Sequence, residues 1–168
     1  MRVALVAPPF ISVPPADYGG TELFVAHLAE GLKRIGVDVV VYTNGESTVD
    51  VERRWLYEKS QWPLKVSDTA WMKSLDHEAW AVHDAQKDCD IIHVQSASAI
   101  VFSRFVDKPL VLTLHGPHDA KASELYSHYP DVNTSPSVTR RSRRNACHKC
   151  ARSTMELTFH STRWSSAN

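Results

Sequence analysis

The sequence lacks any apolar run long enough to span a membrane, which takes about 18 uninterrupted apolar residues. Its first residues, Met1–Ala7, are mostly apolar, but Pro8 and Pro9 end that run at once. They also lack the length and the small-residue cleavage site of a signal peptide. The sequence therefore predicts a cytoplasmic protein with no transmembrane segment.

Cysteine is also scarce, because the chain has only three. An odd number forms no complete disulfide framework, which agrees with a reducing compartment. Cys147 and Cys150 are spaced like half of a zinc knuckle, with His160 as a possible third ligand. A structural zinc site needs four ligands at defined spacing, and no second pair is present. We expect no metal.

The net charge of zero hides a division of the chain into two parts. Residues 1–133 carry 12 Lys and Arg against 18 Asp and Glu, whereas residues 134–168 carry 7 against 1. Large apolar residues also become rare after Asn133. This change predicts one domain over 1–133 and a basic, disordered tail over 134–168. The tail includes Arg140–Arg144, a cluster that could bind phosphate backbones without specificity.

Short apolar segments alternate with segments of helical periodicity through the first part. Strands that are apolar on both faces are typical of a parallel sheet covered by helices on both sides. With right-handed crossovers, this pattern predicts a single α/β domain with a Rossmann-like, doubly wound parallel sheet. The predicted strands are 3–7, 37–42, 89–94 and 109–114, with a further short strand within 51–57; the predicted helices begin after Thr21 and cover 70–86 and 96–105.

Paired glycines separate the first strand from the first helix. Gly19 and Gly20 would let the main chain approach a ligand closely, and the helix amino terminus behind them favours a phosphate. The alternative is a tight turn in which Thr21 caps the helix. The segment is not a dinucleotide-binding fingerprint, because no third glycine follows at the required place and no acidic residue ends the second strand.

A histidine follows the last predicted strand. His115, with Gly116 after it, should face the crevice at the carboxyl end of the sheet, where ligands bind in such folds. There it could donate to a sugar hydroxyl or a phosphate, or move a proton. The alternative is a loop histidine without a role. His118 and Asp119 are interpreted as a helix start, and the polar segment His93–Ser96 has a weaker claim to the site.

Several segments, in this order and at these spacings, resemble the start of family 4 glycosyltransferases, over about residues 1–132. They are Met1–Pro9, Tyr18–Glu22, Leu28–Leu32, Gly36–Val39, Asp90–His93 and Leu112–Gly116. The resemblance implies a GT-B architecture, in which two Rossmann-like domains face each other across a cleft. This chain would hold only the amino-terminal, acceptor-side domain.

The resemblance also implies a reaction. A retaining enzyme would move a sugar from a nucleotide-sugar donor to a carbohydrate or lipid acceptor, with no metal or other cofactor. Gly19, Gly20, Thr21 and Gly116 would lie near the donor phosphate or the acceptor, and His115 matches the crevice histidine near the reacting sugar. The only glutamates at E-x7-E spacing are Glu22 and Glu30, and they lie in the first predicted helix. The sequence contains no second glycine loop with an Arg/Lys pair and no E-x7-E motif in a second domain. The chain alone is therefore expected to be inactive.

The tail departs from the family in a regular way. Where the family has a strand of the type Y-V-S-I-S-D-A-Q, this chain has Thr134–Arg141. Loss of one nucleotide from a gene encoding N-Y-V-S-I-S-D-A-Q can give N-T-S-P-S-V-T-R. A gene segment that encodes Arg152–Phe159 can also encode V-Y-H-G-I-D-L, another segment of the family, when it is read with the same shift of reading frame. We therefore hypothesise that residues 134–168 are a frameshifted remnant. The missing final strand and helix would leave a sheet edge or an apolar helix face uncovered and favour self-association, unless the tail covers that surface.

A second interpretation stays open. The chain could be a stand-alone Rossmann-like module that binds a phosphate or nucleotide and carries a basic tail for nucleic acid. The glycosyltransferase interpretation, in contrast, expects no nucleic-acid partner. Salt-sensitive DNA binding that is lost on truncation at Asn133 would distinguish the two.

Overall fold

The computed structural model describes residues 1–62, 69–116 and 120–136, and the elements below lie in those ranges. Strands and helices follow one another along the chain largely as the sequence predicts. The helix that was expected over 96–105 is a 3₁₀ helix. The elements are β1 (Arg2–Val6), α1 (Gly20–Arg34), β2 (Asp38–Thr43), β3 (Glu52–Trp55), α2 (Ala70–Ala85), β4 (Ile91–Val94), the 3₁₀ helix Ala97–Phe105, β5 (Leu110–Leu114), α3 (Ala120–Ser127) and β6 (Asn133–Pro136).

All six strands belong to one parallel sheet, which confirms the predicted Rossmann-like fold. Their order is β3-β2-β1-β4-β5-β6, and every neighbouring pair is parallel. The chain runs outward from β1 to β3 and then returns to place β4 on the other side of β1. In a sheet wound in this way, a crevice opens between the carboxyl ends of β1 and β4.

The core consists of two apolar clusters, one on each face of the sheet. Along β1, Ala4 and Val6 belong to one cluster, whereas Val3 and Leu5 belong to the other. Side chains of α2 cover the first cluster and side chains of α1 cover the second. Because alternate residues of a strand point to opposite faces, burial on both sides explains why the strands are apolar throughout.

The two ends of α1 test the predicted helix signals. At its carboxyl end, Gly36 has φ 83° and donates its N–H to the Lys33 carbonyl at 3.0 Å, so the predicted glycine stop is confirmed. At its amino end the predicted Thr21 cap is wrong. The helix begins two residues earlier than predicted, at Gly20, and Gly19 occupies the cap position without a side-chain hydrogen bond.

The sheet extends past the predicted domain boundary. Residues 134–136 were expected to be disordered, but they continue β6, which pairs with β5 from Val111–Asn133 to Leu114–Pro136. An edge strand needs main-chain partners on one side only, so a polar segment ending in proline can form it. Part of the tail therefore covers the edge of β5, which is the exception that the expectation allowed. The predictions that concern Arg140–Arg144, Cys147, Cys150 and His160 lie outside the described residues.

Within the described ranges, no helix has both the length and the apolar character that a bilayer crossing requires.

Candidate functional site

The structure brings the predicted glycine turn and the predicted histidine to the same edge of the sheet. Gly19 and Gly20 lie at the amino end of α1, and His115 directly follows β5. The Phe24 ring, in the first turns of α1, contacts the His115 ring edge to face, with centroids 5.2 Å apart. Gln95, directly after β4, contacts His115. The glycine turn and the side chains of Phe24, Gln95 and His115 thus lie together at the carboxyl ends of β1, β4 and β5.

His115 is half-buried and held by a hydrogen bond. Its Nε2 lies 2.8 Å from Oε1 of Gln95. Burial lowers the pKa of His115 from its ordinary value, because a charged imidazole is less stable away from water. The ring is therefore neutral at neutral pH, with one nitrogen that donates and one that accepts.

Gln95 is more central to the candidate site than the sequence analysis predicted, since its segment was given a weaker claim to the site. Its side chain is 5% exposed, and its amide nitrogen is buried with no hydrogen-bond partner among the described residues. A buried amide without a partner costs about 1–3 kcal/mol, so such groups are rare unless something else satisfies them. The signal was its position, immediately after a strand at the point where the sheet order reverses.

A cavity of about 220 Å³ lies against this pair. It is open to a small polar group, and the Gln95 amide and the His115 ring give it hydrogen-bonding capacity. Its lining residues are Gln95, Ala97, Thr113, Leu114, His115, Gly116 and Tyr126.

His93, the histidine of the segment His93–Ser96, contacts the neighbouring strand. Its Nε2 lies 2.7 Å from Oγ1 of Thr113, which is buried on β5. Burial lowers the pKa of His93 to about 4, and repulsion from His115 contributes to the shift. The contact ties β4 to β5 below the cavity, and His93 stays neutral there.

The two glycines of the turn differ. Gly19 is buried with φ 149°, and an added Cβ would lie 2.9 Å from the Pro15 Cβ, so the fold itself requires glycine. Gly20 is exposed, and an added Cβ would meet nothing within 4 Å. The turn interpretation therefore explains Gly19 but leaves Gly20 without a structural reason. Gly116 is likewise exposed, and none of the described residues lies within 4 Å of its Cβ position.

An acidic side chain already occupies the amino terminus of α1. Glu22 is 6% exposed, and burial raises the pKa of its carboxyl. Its Oε2 would lie 2.8 Å from a Cβ added at Gly19, which places the carboxyl beside the helix start. Carboxylates are stabilised at helix amino termini just as phosphates are. A phosphate at this turn would therefore compete with Glu22.

Other predicted features contribute less. His118 and Asp119 lie outside the described residues. In the described part of the chain, no group of three or more His, Cys, Asp or Glu side chains could hold a metal ion. A larger cavity, of about 460 Å³, lies at the opposite end of β5 and is lined by Arg104, Leu110 and Tyr129 among others. It contains none of the predicted site residues and faces the amino ends of the strands, where ligands of this fold class do not bind.

Comparison with protein families gives one match. The model of Glycosyltransferase Family 4 matches residues 18–154, which is more than half of the chain. The match includes the glycine turn, Gln95 and His115, and it continues past Asn133. No curated protein sequence matches the chain.

Solved structures resemble the chain at low sequence identity. Sucrose-phosphate synthase from Thermosynechococcus elongatus is 14% identical with a TM-score of 0.52, over 80% of this chain and 47% of that one. AviGT4, a glycosyltransferase involved in avilamycin A biosynthesis, is 23% identical with a TM-score of 0.45, over 68% of this chain and 32% of that one. The C-terminal domain of a coenzyme A biosynthesis bifunctional protein, CoaBC, is 11% identical with a TM-score of 0.49, over 80% and 76% of the two chains. The likeness to sucrose-phosphate synthase supports the fold alone. The chain thus spans less than half the length of the two carbohydrate-related proteins.

Proposed function

The chain belongs to Glycosyltransferase Family 4, and from that membership we propose that its domain forms the acceptor-side half of a sugar-transfer cleft. The observation that carries this proposal is the pair of His115 and Gln95, joined at 2.8 Å beside a cavity at the carboxyl edge of the sheet. Sugars carry many hydroxyl groups, and a neutral imidazole beside a buried amide offers them both acceptors and donors.

The proposed reaction transfers a sugar from a nucleotide sugar to a carbohydrate or lipid hydroxyl, with retention of configuration and without a metal or other cofactor. Neutral His115 would hydrogen-bond to the reacting sugar or the acceptor. Gly20 and Gly116 would let a substrate approach the main chain, because both are exposed and none of the described residues lies within 4 Å of either Cβ position. The proposed location is the cytoplasm.

The leaving diphosphate needs positive charge, and the described cleft supplies little. Among the described residues, the cavity lining includes no lysine or arginine. At the glycine turn, the Glu22 carboxyl lies 2.8 Å from the position of a Cβ added at Gly19, and it is acidic. Stabilisation of a departing diphosphate is an electrostatic contribution worth several kcal/mol, so its absence slows transfer by orders of magnitude. We therefore propose that a second domain supplies this charge and that the 168-residue chain alone does not turn over.

The experiment compares two proteins with a panel of nucleotide sugars. The first is the 168-residue chain, and the second is the product of the gene with one nucleotide restored after the codon for Asn133. Hydrolysis or transfer by the second protein only would support both the enzyme assignment and the reading-frame hypothesis. If the restored frame encodes no further domain, the reading-frame hypothesis fails.

The alternative function makes a different prediction for the same chain. A phosphate-binding module with a basic tail would bind DNA in a salt-sensitive way and would lose that binding on truncation at Asn133. Titration of the intact and the truncated chain with DNA at two salt concentrations separates this module from the enzyme domain.

A further inference from the structure

The contact between Gln95 and His115 has a defined direction. The atom of Gln95 that lies 2.8 Å from His115 Nε2 is Oε1, the carbonyl oxygen of the side-chain amide. A carbonyl oxygen only accepts hydrogen bonds. With the Gln95 amide in this orientation, the His115 nitrogen opposite donates and carries the proton.

Because His115 is neutral, the nitrogen that donates to Gln95 identifies the tautomer of the ring. A neutral imidazole has one protonated nitrogen and one nitrogen with a free electron pair. Burial favours the neutral ring, as the lowered pKa of His115 indicates. With the proton on Nε2, the free electron pair lies on Nδ1. The opposite tautomer would set two electron pairs against each other at 2.8 Å.

Both partners are held in place by their surroundings. Gln95 is 5% exposed and directly precedes Ser96, the extended residue that caps the 3₁₀ helix. The His115 ring packs edge to face against Phe24 at an angle of 73°. The neighbouring histidine, His93, does not compete for the Gln95 carbonyl, because its own Nε2 contacts Thr113 Oγ1. Among the described residues, His115 thus has one hydrogen-bond partner, the Gln95 side-chain oxygen, which accepts.

We infer that Gln95 is a positioning residue that holds His115 in the tautomer with its proton on Nε2, so that Nδ1 is the nitrogen available to accept a hydrogen bond. This inference deepens the proposed function, on which its meaning for catalysis rests. In this tautomer Nδ1 accepts from a hydroxyl group and has no hydrogen to offer a phosphate oxygen. His115 therefore serves the sugar or acceptor hydroxyl, and the phosphates are bound elsewhere.

The tautomer is measured without any turnover. Long-range ¹H–¹⁵N correlation spectra of the ¹⁵N-labelled 168-residue chain, at a pH above the ordinary histidine pKa, report which imidazole nitrogen carries the proton. The His115 signals are assigned by their loss in His115→Gln. We expect the Nε2–H form to dominate by about tenfold or more, because the other form leaves a buried acceptor unpaired. Dominance of the Nδ1–H form in the wild-type chain overturns the inference.

Two substitutions separate positioning from simple packing. Gln95→Met keeps the side-chain volume but removes the acceptor, so the preference for Nε2–H should fall at least about fivefold. Gln95→Glu keeps an acceptor, so the Nε2–H form should persist, and the new carboxylate should raise the pKa of His115. An unchanged preference in Gln95→Met contradicts the inference.

The controls use the rest of the same spectra. His93 stays on Thr113 in every variant, so its signals report whether the fold is intact. Gln86→Met alters another glutamine that contacts a histidine, His83, far from the site, and should leave His115 unchanged. If Gln95→Met does not fold, the wild-type tautomer and Gln95→Glu still decide the question. A failure of sugar transfer in the restored-frame protein would leave these spectra as they are, so the two proposals fail separately.

Discussion

Phe24 and His115 meet edge to face, with their ring planes at 73° and their centroids 5.2 Å apart. This contact joins the first turns of α1 to the loop after β5, two segments that are distant in sequence. It fixes the glycine turn beside the histidine and covers one side of the imidazole. The candidate site depends on this packing as much as on its polar groups.

Loss of this ring should loosen the histidine. Phe24→Ala is expected to raise the pKa of His115 toward its ordinary value, because water gains access to the ring. It should also lower the free energy of unfolding by about 2 kcal/mol. An NMR titration of His115 and urea unfolding measure the two effects. Phe105→Ala, at a phenylalanine that is 78% exposed, is the matched control and should change neither quantity.

The two glycines of the turn should respond differently to one methyl group. Gly19→Ala is expected to lower the free energy of unfolding by about 2 kcal/mol, because its φ of 149° is strained for other residues and its Cβ would meet Pro15. Gly20→Ala should change stability by less than about 1 kcal/mol, since its Cβ position is open. Urea unfolding of both variants compares them. Equal destabilisation would show that Gly20 is also required by the fold.

The Glu22 carboxyl should oppose anion binding at the start of α1. Glu22→Gln is expected to tighten the binding of inorganic phosphate about fivefold at a pH where the carboxylate is ionised, because it removes a repelling charge. The shift of the Gly20 amide signal during a phosphate titration measures this. Glu30→Gln, at an exposed position further along the same helix, is the control. Equal affinity of wild type and Glu22→Gln would contradict the competition between the Glu22 carboxylate and phosphate.

The buried His77 should make the fold sensitive to acid. Burial lowers the pKa of His77 to about 4, so the unfolded chain takes up a proton near the ordinary histidine pKa while the folded chain does not. The contribution of His77 to the free energy of unfolding is therefore fully present at neutral pH. It is lost as the pH falls below the pKa that His77 has in the unfolded chain and toward its pKa in the folded chain. Between about pH 7 and about pH 5, the free energy of unfolding should fall by about 2 kcal/mol on its account.

Urea unfolding at the two pH values measures this loss. His77→Gln should show a pH dependence that is smaller by that amount, because it has no titrating ring. His83→Gln, at an exposed histidine on the same helix, should keep the full pH dependence. Equal pH dependence in all three proteins would contradict the assignment to His77.

The apolar pattern was sufficient to predict the central strands β1, β2, β4 and β5 and the helices α1 and α2. Strands such as Val39–Val41 are buried on both faces, and only a central parallel strand needs that pattern. The strand β6 could not be predicted in the same way, because an edge strand such as Asn133–Pro136 forms through main-chain pairing with β5 and carries little apolar signal.

The site was predictable in part. The position of His115 after an apolar strand placed it at the correct edge. The Thr21 cap was wrong, because the backbone at Gly19 provides the helix start itself. The position of Gln95 after a strand was a usable signal, but its contact with His115 could not be predicted, because that contact joins the ends of two neighbouring strands.

The most direct test of the central claim is nucleotide-sugar turnover by the restored-frame protein and by its His115→Ala variant. We predict that the restored-frame protein consumes a nucleotide sugar, that His115→Ala lowers kcat/KM by about 100-fold or more, and that Phe105→Ala leaves it unchanged. Full activity of His115→Ala would contradict the placement of the transfer site at the carboxyl edge of this sheet.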